Sequence, residues 1–219
     1  LRGAVQASAL LGAEGGEWVR KMEREEIGYY GELARAWRRA GGAEDKLYYF
    51  KEAHSDLPRV RQTLRFLRSV SFQSLLDVGS GRGVLLFPFL EEFPWIDVTA
   101  AEMLPHRAEL LRTLRAGGIS RLHVLEGDFC GMPIPEKSVD VVTMLEVLEH
   151  IPDVERAVRN AVAAARKYVV VTVPSKPDNN PEHIHLLTKG RLEELFRGAG
   201  CGRLHFDGVP GHLFMVGVL

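Results

Sequence analysis

Cysteine is scarce: Cys130 and Cys201 are the two present in 219 residues. They are too few and too far apart for a disulfide framework or a CxxC metal knuckle. Both read as structural thiols of a reducing compartment, so a cytoplasmic protein is expected. Long apolar runs are missing as well. No stretch approaches the roughly 18 residues that a membrane-spanning helix requires, so no membrane partner is expected. An excess of one charge is also lacking, because 28 Lys and Arg stand against 29 Asp and Glu, a net charge of −1. That balance gives no general electrostatic affinity for nucleic acid or an anionic membrane. There is no internal repeat and no low-complexity tract. With 46% hydrophobic and 26% charged residues, the composition is that of a folded domain and excludes global disorder. The chain opens on Leu1 rather than methionine, the pattern of a truncated or processed N-terminus.

The pattern that is present changes near residue 70. Before it, apolar positions recur at helical spacing. Trp18, Met22, Ile27, Tyr30, Leu33, Ala34 and Trp37 form one stripe within a predicted helix Trp18–Ala40, stopped by Gly41 and Gly42. Asp56 before Pro58 predicts a capped helix start, followed by a stripe of Val60, Leu64 and Leu67. After residue 70, strand and helix alternate. Strands are predicted at Ser74–Val78, Ile96–Ala101, Leu122–Glu126, Val139–Leu145, Tyr168–Val173, Arg203–Val209 and Leu213–Leu219. Helices are predicted at Val84–Phe93, Pro105–Ala116, Val154–Ala165 and Leu192–Gly198. Near-continuous apolar runs such as Val139–Leu145 suit strands buried on both faces. The expectation is an α/β protein with a doubly wound, mostly parallel sheet, a C-terminal hairpin and an N-terminal helical extension. Residues 1–70 read as a helical cap and 71–219 as the main domain.

Chemistry first appears where the first strand runs into a glycine loop, Asp77-Val78-Gly79-Ser80-Gly81-Arg82-Gly83. Glycines there permit a tight turn and the close approach of a ligand to the main chain. The loop lacks the Gly-Lys-Ser or Gly-Lys-Thr ending of a nucleotide-hydrolysing P-loop. Its spacing also differs from the Gly-x-Gly-x-x-Gly of dinucleotide folds, because Gly83 follows Gly81 by two residues. Glu102, just past the second strand, is suited to accept hydrogen bonds from ribose hydroxyls. Its plain alternative is a surface carboxylate at a strand end.

Taken together, these segments resemble class I S-adenosylmethionine-dependent methyltransferases from about Leu75 to Leu219. Asp77 to Gly83 matches the family's first motif, with Asp77, Gly79, Ser80, Gly81 and Gly83 as implied cofactor-binding residues. Glu102 matches the ribose-binding acid, with Met103 beside the adenine. Asp128 and Phe129 match the acid and the apolar neighbour that hold the adenine amine and ring. Asp140 to Asp153 matches the segment after the fourth strand, in which Glu146 lines the pocket. The resemblance implies a seven-stranded Rossmann-like sheet, S-adenosylmethionine as cofactor and methyl transfer, with a small molecule as the expected acceptor. RNA is a less favoured acceptor, given the balanced charge. A catalytically silent cofactor-binding module is the alternative of a different class. The chain departs from many members in lacking a Pro-Gly-Gly turn before the fifth strand, where Ala163 to Lys167 stands instead.

On the acceptor side, Glu146, Glu149 and His150 stand at helical spacing, which predicts one shared face. A polar loop from Pro174 to His185 carries His183 and His185. Three readings stay open. His150 is a general base; or Glu146, Glu149, His150 and His185 (or His183) bind a divalent metal, as the site of small-RNA 2′-O-methyltransferases does; or these residues line the pocket and fasten its loops. Methyl transfer from a sulfonium needs no Lewis acid, so no metal is expected.

Overall fold

The computed structural model describes residues 30–51 and 56–219. Trp18, Met22 and Ile27 of the predicted first stripe lie outside the described residues. Within them, α1 spans Gly31–Arg39 and buries Leu33, Ala34, Ala36 and Trp37. It ends as predicted: Gly41 takes a positive φ, and the Trp37 ring lies where any side chain at Gly42 would stand. A 3-10 turn, Glu44–Phe50, follows. The next helix, α2, spans Pro58–Arg68. Its cap differs from expectation. Leu57 occupies the cap position and Asp56 makes no cap bond, leaving Pro58, which has no N–H to satisfy, to open the helix.

The alternating part runs β1 Ser74–Val78, α3 Leu86–Glu92, β2 Asp97–Glu102, α4 Pro105–Ala116, β3 Leu122–Glu126 and β4 Val139–Leu145. It continues through α5 Val154–Ala164, β5 Ala165–Pro174, α6 Lys189–Gly198, β6 Arg203–Val209 and β7 His212–Val218. Asp153 caps α5 by accepting the Arg156 N–H, and Thr188 caps α6 by accepting the Arg191 N–H. Without a Pro-Gly-Gly turn, α5 passes directly into β5.

The seven strands lie in the order β3-β2-β1-β4-β5-β7-β6. Pairing is parallel except along β7, which runs antiparallel to both β5 and β6. Alternate residues of each strand face opposite layers. Leu75, Val141 and Val170 point into the layer that holds α1, α2, α3 and α4, with Leu33, Val60, Phe89 and Leu111. Leu76, Val142 and Val169 point to α5 and α6, with Val158, Ala161, Leu192 and Phe196. Both N-terminal helices belong to the first of these cores. Arg121 pairs with Glu32 at 2.7 Å, Arg39 donates to the Gly117 carbonyl, and Phe66 meets Tyr168 edge-on. The chain moves outward from β1 to β3 and then returns to β4, so the topological switch lies between β1 and β4, where open α/β sheets bind ligands. Among the described residues, no helix is long and apolar enough to cross a membrane. Cys130 and Cys201 are both buried and free, and burial raises both thiol pKa values.

Candidate active site

A cavity of about 630 Å³ opens at the carboxyl ends of β1, β2 and β4. Its size is within the range of small-molecule and cofactor sites. The structure brings Asp77, Gly79, Ser80, Gly81, Glu102, Met103, Asp128, Phe129, Glu146 and His150 to its wall. Gly83 stands apart. It lies beneath the Phe87 ring, 2.4 Å from where a β-carbon would sit, and lets α3 pack closely on the loop. Gly81 has φ +58°, which disfavours any side chain, and a β-carbon there would meet the Gly79 carbonyl and Arg107 at ordinary contact distances of 3.6 and 3.7 Å.

Glu102 holds this loop from below. Its Oε2 accepts the Gly81 N–H at 2.7 Å and its Oε1 accepts the Leu104 N–H at 2.9 Å. The side chain is 3% exposed, so it is no surface carboxylate. Each oxygen retains acceptor capacity, so a ribose hydroxyl would add to these bonds rather than replace them. Asp77 is buried at the end of β1 and accepts the Thr143 hydroxyl at 2.7 Å. Burial pushes its pKa up to about 6 against the opposing hydrogen bonds from Thr143 and Ser80, and the nearby Glu102 charge adds to the rise. Asp128 accepts the Cys130 N–H through Oδ1, which turns the chain after β3. Phe129 is buried beside it, whereas Met103 is 61% exposed.

The acceptor end differs from the predicted helical face. Glu146 takes a left-handed conformation, φ +57°, and the helical segment that follows is a single 3-10 turn, Leu148–His150. Helical spacing brings side chains together only where the helix is continuous, and here the backbone reverses at the first of the three. Glu146 is therefore held apart by other partners, while Glu149 and His150 keep ligand atoms within 4.8 Å of each other. Glu146 accepts the Thr172 hydroxyl at 2.8 Å and pairs with His212 Nε2 at 2.9 Å. Glu149 is fully buried, and neither carboxyl oxygen has a hydrogen-bond partner among the described residues. Desolvation, reinforced by the Glu146 charge, pushes its pKa up to about 8. His150 is half-buried on the cavity wall and donates from Nδ1 to the Glu182 carbonyl at 2.9 Å. His183 and His185 do not line the cavity. His183 pairs with Asp178 at 2.8 Å, and His185 Nε2 bonds the Ile151 carbonyl.

Two charged wall residues carried no signal in the sequence, Arg59 from the first turn of α2 and Arg107 from α4, whereas Glu182 comes from the polar loop after β5 that the sequence placed at the acceptor side. Both arginines reach the cavity through tertiary packing, outside any motif.

A parallel sheet closed by one reversed strand, over a glycine loop and a buried acid at the second strand's end, defines a nucleoside-cofactor-binding α/β domain of the methyltransferase type. Known proteins agree. The family model described as a methyltransferase domain matches residues 76–170. A ubiquinone biosynthesis O-methyltransferase from Rickettsia akari is 23% identical over 141 residues, covering 64% of this chain and 55% of that protein. A probable S-adenosylmethionine-dependent methyltransferase from Mycobacterium tuberculosis is 31% identical over 101 residues, covering 39% of this chain and 37% of the relative. The crystal structure of a SAM-dependent methyltransferase from Aquifex aeolicus shares the fold, with a TM-score of 0.60 at 18% identity over 77% of this chain and 93% of that one. Residues 76–170 thus match a methyltransferase domain, and over this part the chain is similar to S-adenosylmethionine-dependent methyltransferases. It spans about half, or less, of the length of these curated relatives.

Proposed function

We propose that this chain, a cytoplasmic protein, transfers a methyl group from S-adenosylmethionine to a small-molecule acceptor, with His150 taking the acceptor's proton. The observation that carries the reading is one continuous cavity joining the Gly81–Glu102 end to His150, Glu182 and Arg59. When bound, S-adenosylmethionine supplies a methyl group already activated on a sulfonium. Gly79 and Gly81 present main chain to it, Glu102 accepts from its ribose, and Asp128, Phe129 and Met103 hold its adenine. The remaining work is positional: the acceptor's lone pair is held in line with the methyl carbon. A carbonyl oxygen can only accept, so the Nδ1–H of His150 points at Glu182 and its Nε2 carries the lone pair. That nitrogen would take the proton that the acceptor loses. The N-terminal third shapes the acceptor end through Arg59. A cavity of this size, lined by Arg59 of α2 and Glu182 of the loop after β5, favours a compact acceptor over a polymer.

The test is methyl release across a panel of small hydroxylated and aminated metabolites. His150→Ala is expected to keep cofactor affinity and lower turnover by about 10²–10⁴-fold. Unchanged turnover with weakened cofactor binding would make His150 a pocket residue. Turnover on RNA and on no metabolite would replace the acceptor class.

A further inference from the structure

The buried Glu149 has no role in the reading above. Its carboxyl group is fully enclosed and neither oxygen has a hydrogen-bond partner among the described residues, an arrangement that folded proteins rarely leave uncompensated. Two imidazoles stand beside it. One ligand atom each from Glu149, His150 and His183 lies within 4.8 Å of the others, and the two rings meet edge to face at 4.8 Å. Each imidazole is turned the same way. Nδ1 of His150 donates to the Glu182 carbonyl, and Nδ1 of His183 is held by the Asp178 carboxylate. Both Nε2 atoms are thereby left with lone pairs. Holding one ring nitrogen by a carbonyl or carboxylate is how proteins orient metal-ligating histidines. The backbone fixes the two segments independently, because the Ile184 and His185 N–H groups both donate to the Glu149 carbonyl.

We propose that Glu149, His150 and His183 form a binding site for one divalent transition-metal ion of the zinc type. Two imidazoles and one carboxylate suit such an ion and leave at least one coordination position for water or an acceptor atom. Bonds of about 2.0–2.1 Å place tetrahedral ligand atoms about 3.3 Å apart, so side-chain rotation of about an ångström closes the set. The structure revises the ligand set considered from sequence. Glu146 is committed to Thr172 and His212, and His185 Nε2 to the Ile151 carbonyl. The site shares His150 with the acceptor-side reading. With an ion bound, His150 Nε2 is a ligand and takes no proton, so the general-base role above is that of the metal-free chain. Metal binding itself does not depend on methyl transfer.

The experiment is titration of the chelator-stripped full chain with zinc chloride by calorimetry, with S-adenosylhomocysteine binding measured on the same samples. One zinc per chain is expected. Glu149→Gln and His183→Ala should each weaken zinc affinity by at least about 100-fold, and Asp178→Asn, which acts through His183, by about 10–100-fold. His185→Ala should leave affinity and stoichiometry unchanged. Cobalt(II) in place of zinc gives a second readout, visible absorption bands that Glu149→Gln should abolish. S-adenosylhomocysteine binding in every variant shows that the fold is intact. No zinc binding by a wild-type chain that binds S-adenosylhomocysteine would overturn the site and leave the methyltransferase reading standing. Full zinc affinity in the Glu149→Gln, His183→Ala double variant would overturn it equally.

Discussion

At the scale of single residues, two buried carboxyl groups below the cavity differ in what they oppose. Glu102 is satisfied by two backbone N–H groups, so it stabilises the loop before any ligand arrives. Glu102→Ala is therefore expected to lower the melting temperature of the ligand-free chain as well as cofactor affinity. The affinity loss is about ten- to a hundred-fold, from charge-assisted bonds worth about 1.5–3 kcal/mol. Glu102→Gln keeps one acceptor oxygen and should be milder in calorimetric titration; equal losses would remove the ribose role. Asp77 works the other way. Its folded pKa, about 6, lies above the ordinary 3.8, so the folded state favours the protonated form. Its contribution to stability is complete below about pH 4 and is lost as pH rises through about 6. Two units correspond to about 3 kcal/mol. Asp77→Asn retains an acceptor for the Thr143 hydroxyl and has no charge to desolvate. Its stability relative to wild type should rise by up to about 3 kcal/mol between about pH 4 and pH 7, read from denaturant midpoints. A difference that does not change with pH would mean that the wild-type carboxyl ionises normally. Neither environment is legible in the sequence, because a glutamate or aspartate beside glycines looks equally at home on a surface.

At the scale of elements, the strands were readable and the turns between them were less so. β1 and β4 coincide with their apolar runs because burial on both faces demands continuous hydrophobicity, whereas the edge strands β3 and β6 keep their predicted bounds although largely exposed. The turn after β4 misled because Glu146 is left-handed without a glycine to signal it. Its side chain is held instead by Thr172 and His212, contacts made across β5 and β7 that no local pattern announces. The same long-range logic operates at the sheet's other end. Asp140, at the start of β4, is buried, which raises its pKa, yet the Gln73 N–H at 2.8 Å, Lys167 and Arg166 outweigh burial and hold it below the usual carboxylate range. It fastens β4 to the entry of β1 and to β5. Stability from this anchor is present above the ordinary aspartate pKa and lost as pH falls below it. Asp140→Ala should cost about 1–3 kcal/mol in urea unfolding at neutral pH while leaving cofactor affinity unchanged. A fall in affinity would show that strain travels the length of β4.

At the scale of the whole molecule, the fold class was legible and the membership of the acceptor end was not. Alternating strands and helices, right-handed crossovers and the terminal hairpin leave few arrangements for a seven-stranded sheet, and the observed order is one of them. The N-terminal third was harder to place, because a helical stripe shows that a face is buried and not what buries it. Val60 and Leu67 prove to share a core with Leu75 and Val170, and this docking carries Arg59 to the cavity wall. A ligand in that cavity touches loops from β1, β2, β3 and β4 together with α2, so its binding energy is distributed over elements that unfold together. S-adenosylhomocysteine should therefore stabilise the chain as one unit. At one hundred times its dissociation constant the gain is about 2.7 kcal/mol, a rise in melting temperature of roughly 5–10 °C for a chain of this size. The transition should remain single and shift as a whole, whether followed by the fluorescence of Trp37 in α1 or by the far-ultraviolet signal of the sheet. A second, unshifted transition would place the N-terminal helices outside the cooperative unit and remove Arg59 from the ligand's surroundings. No shift at millimolar ligand would count against cofactor binding itself.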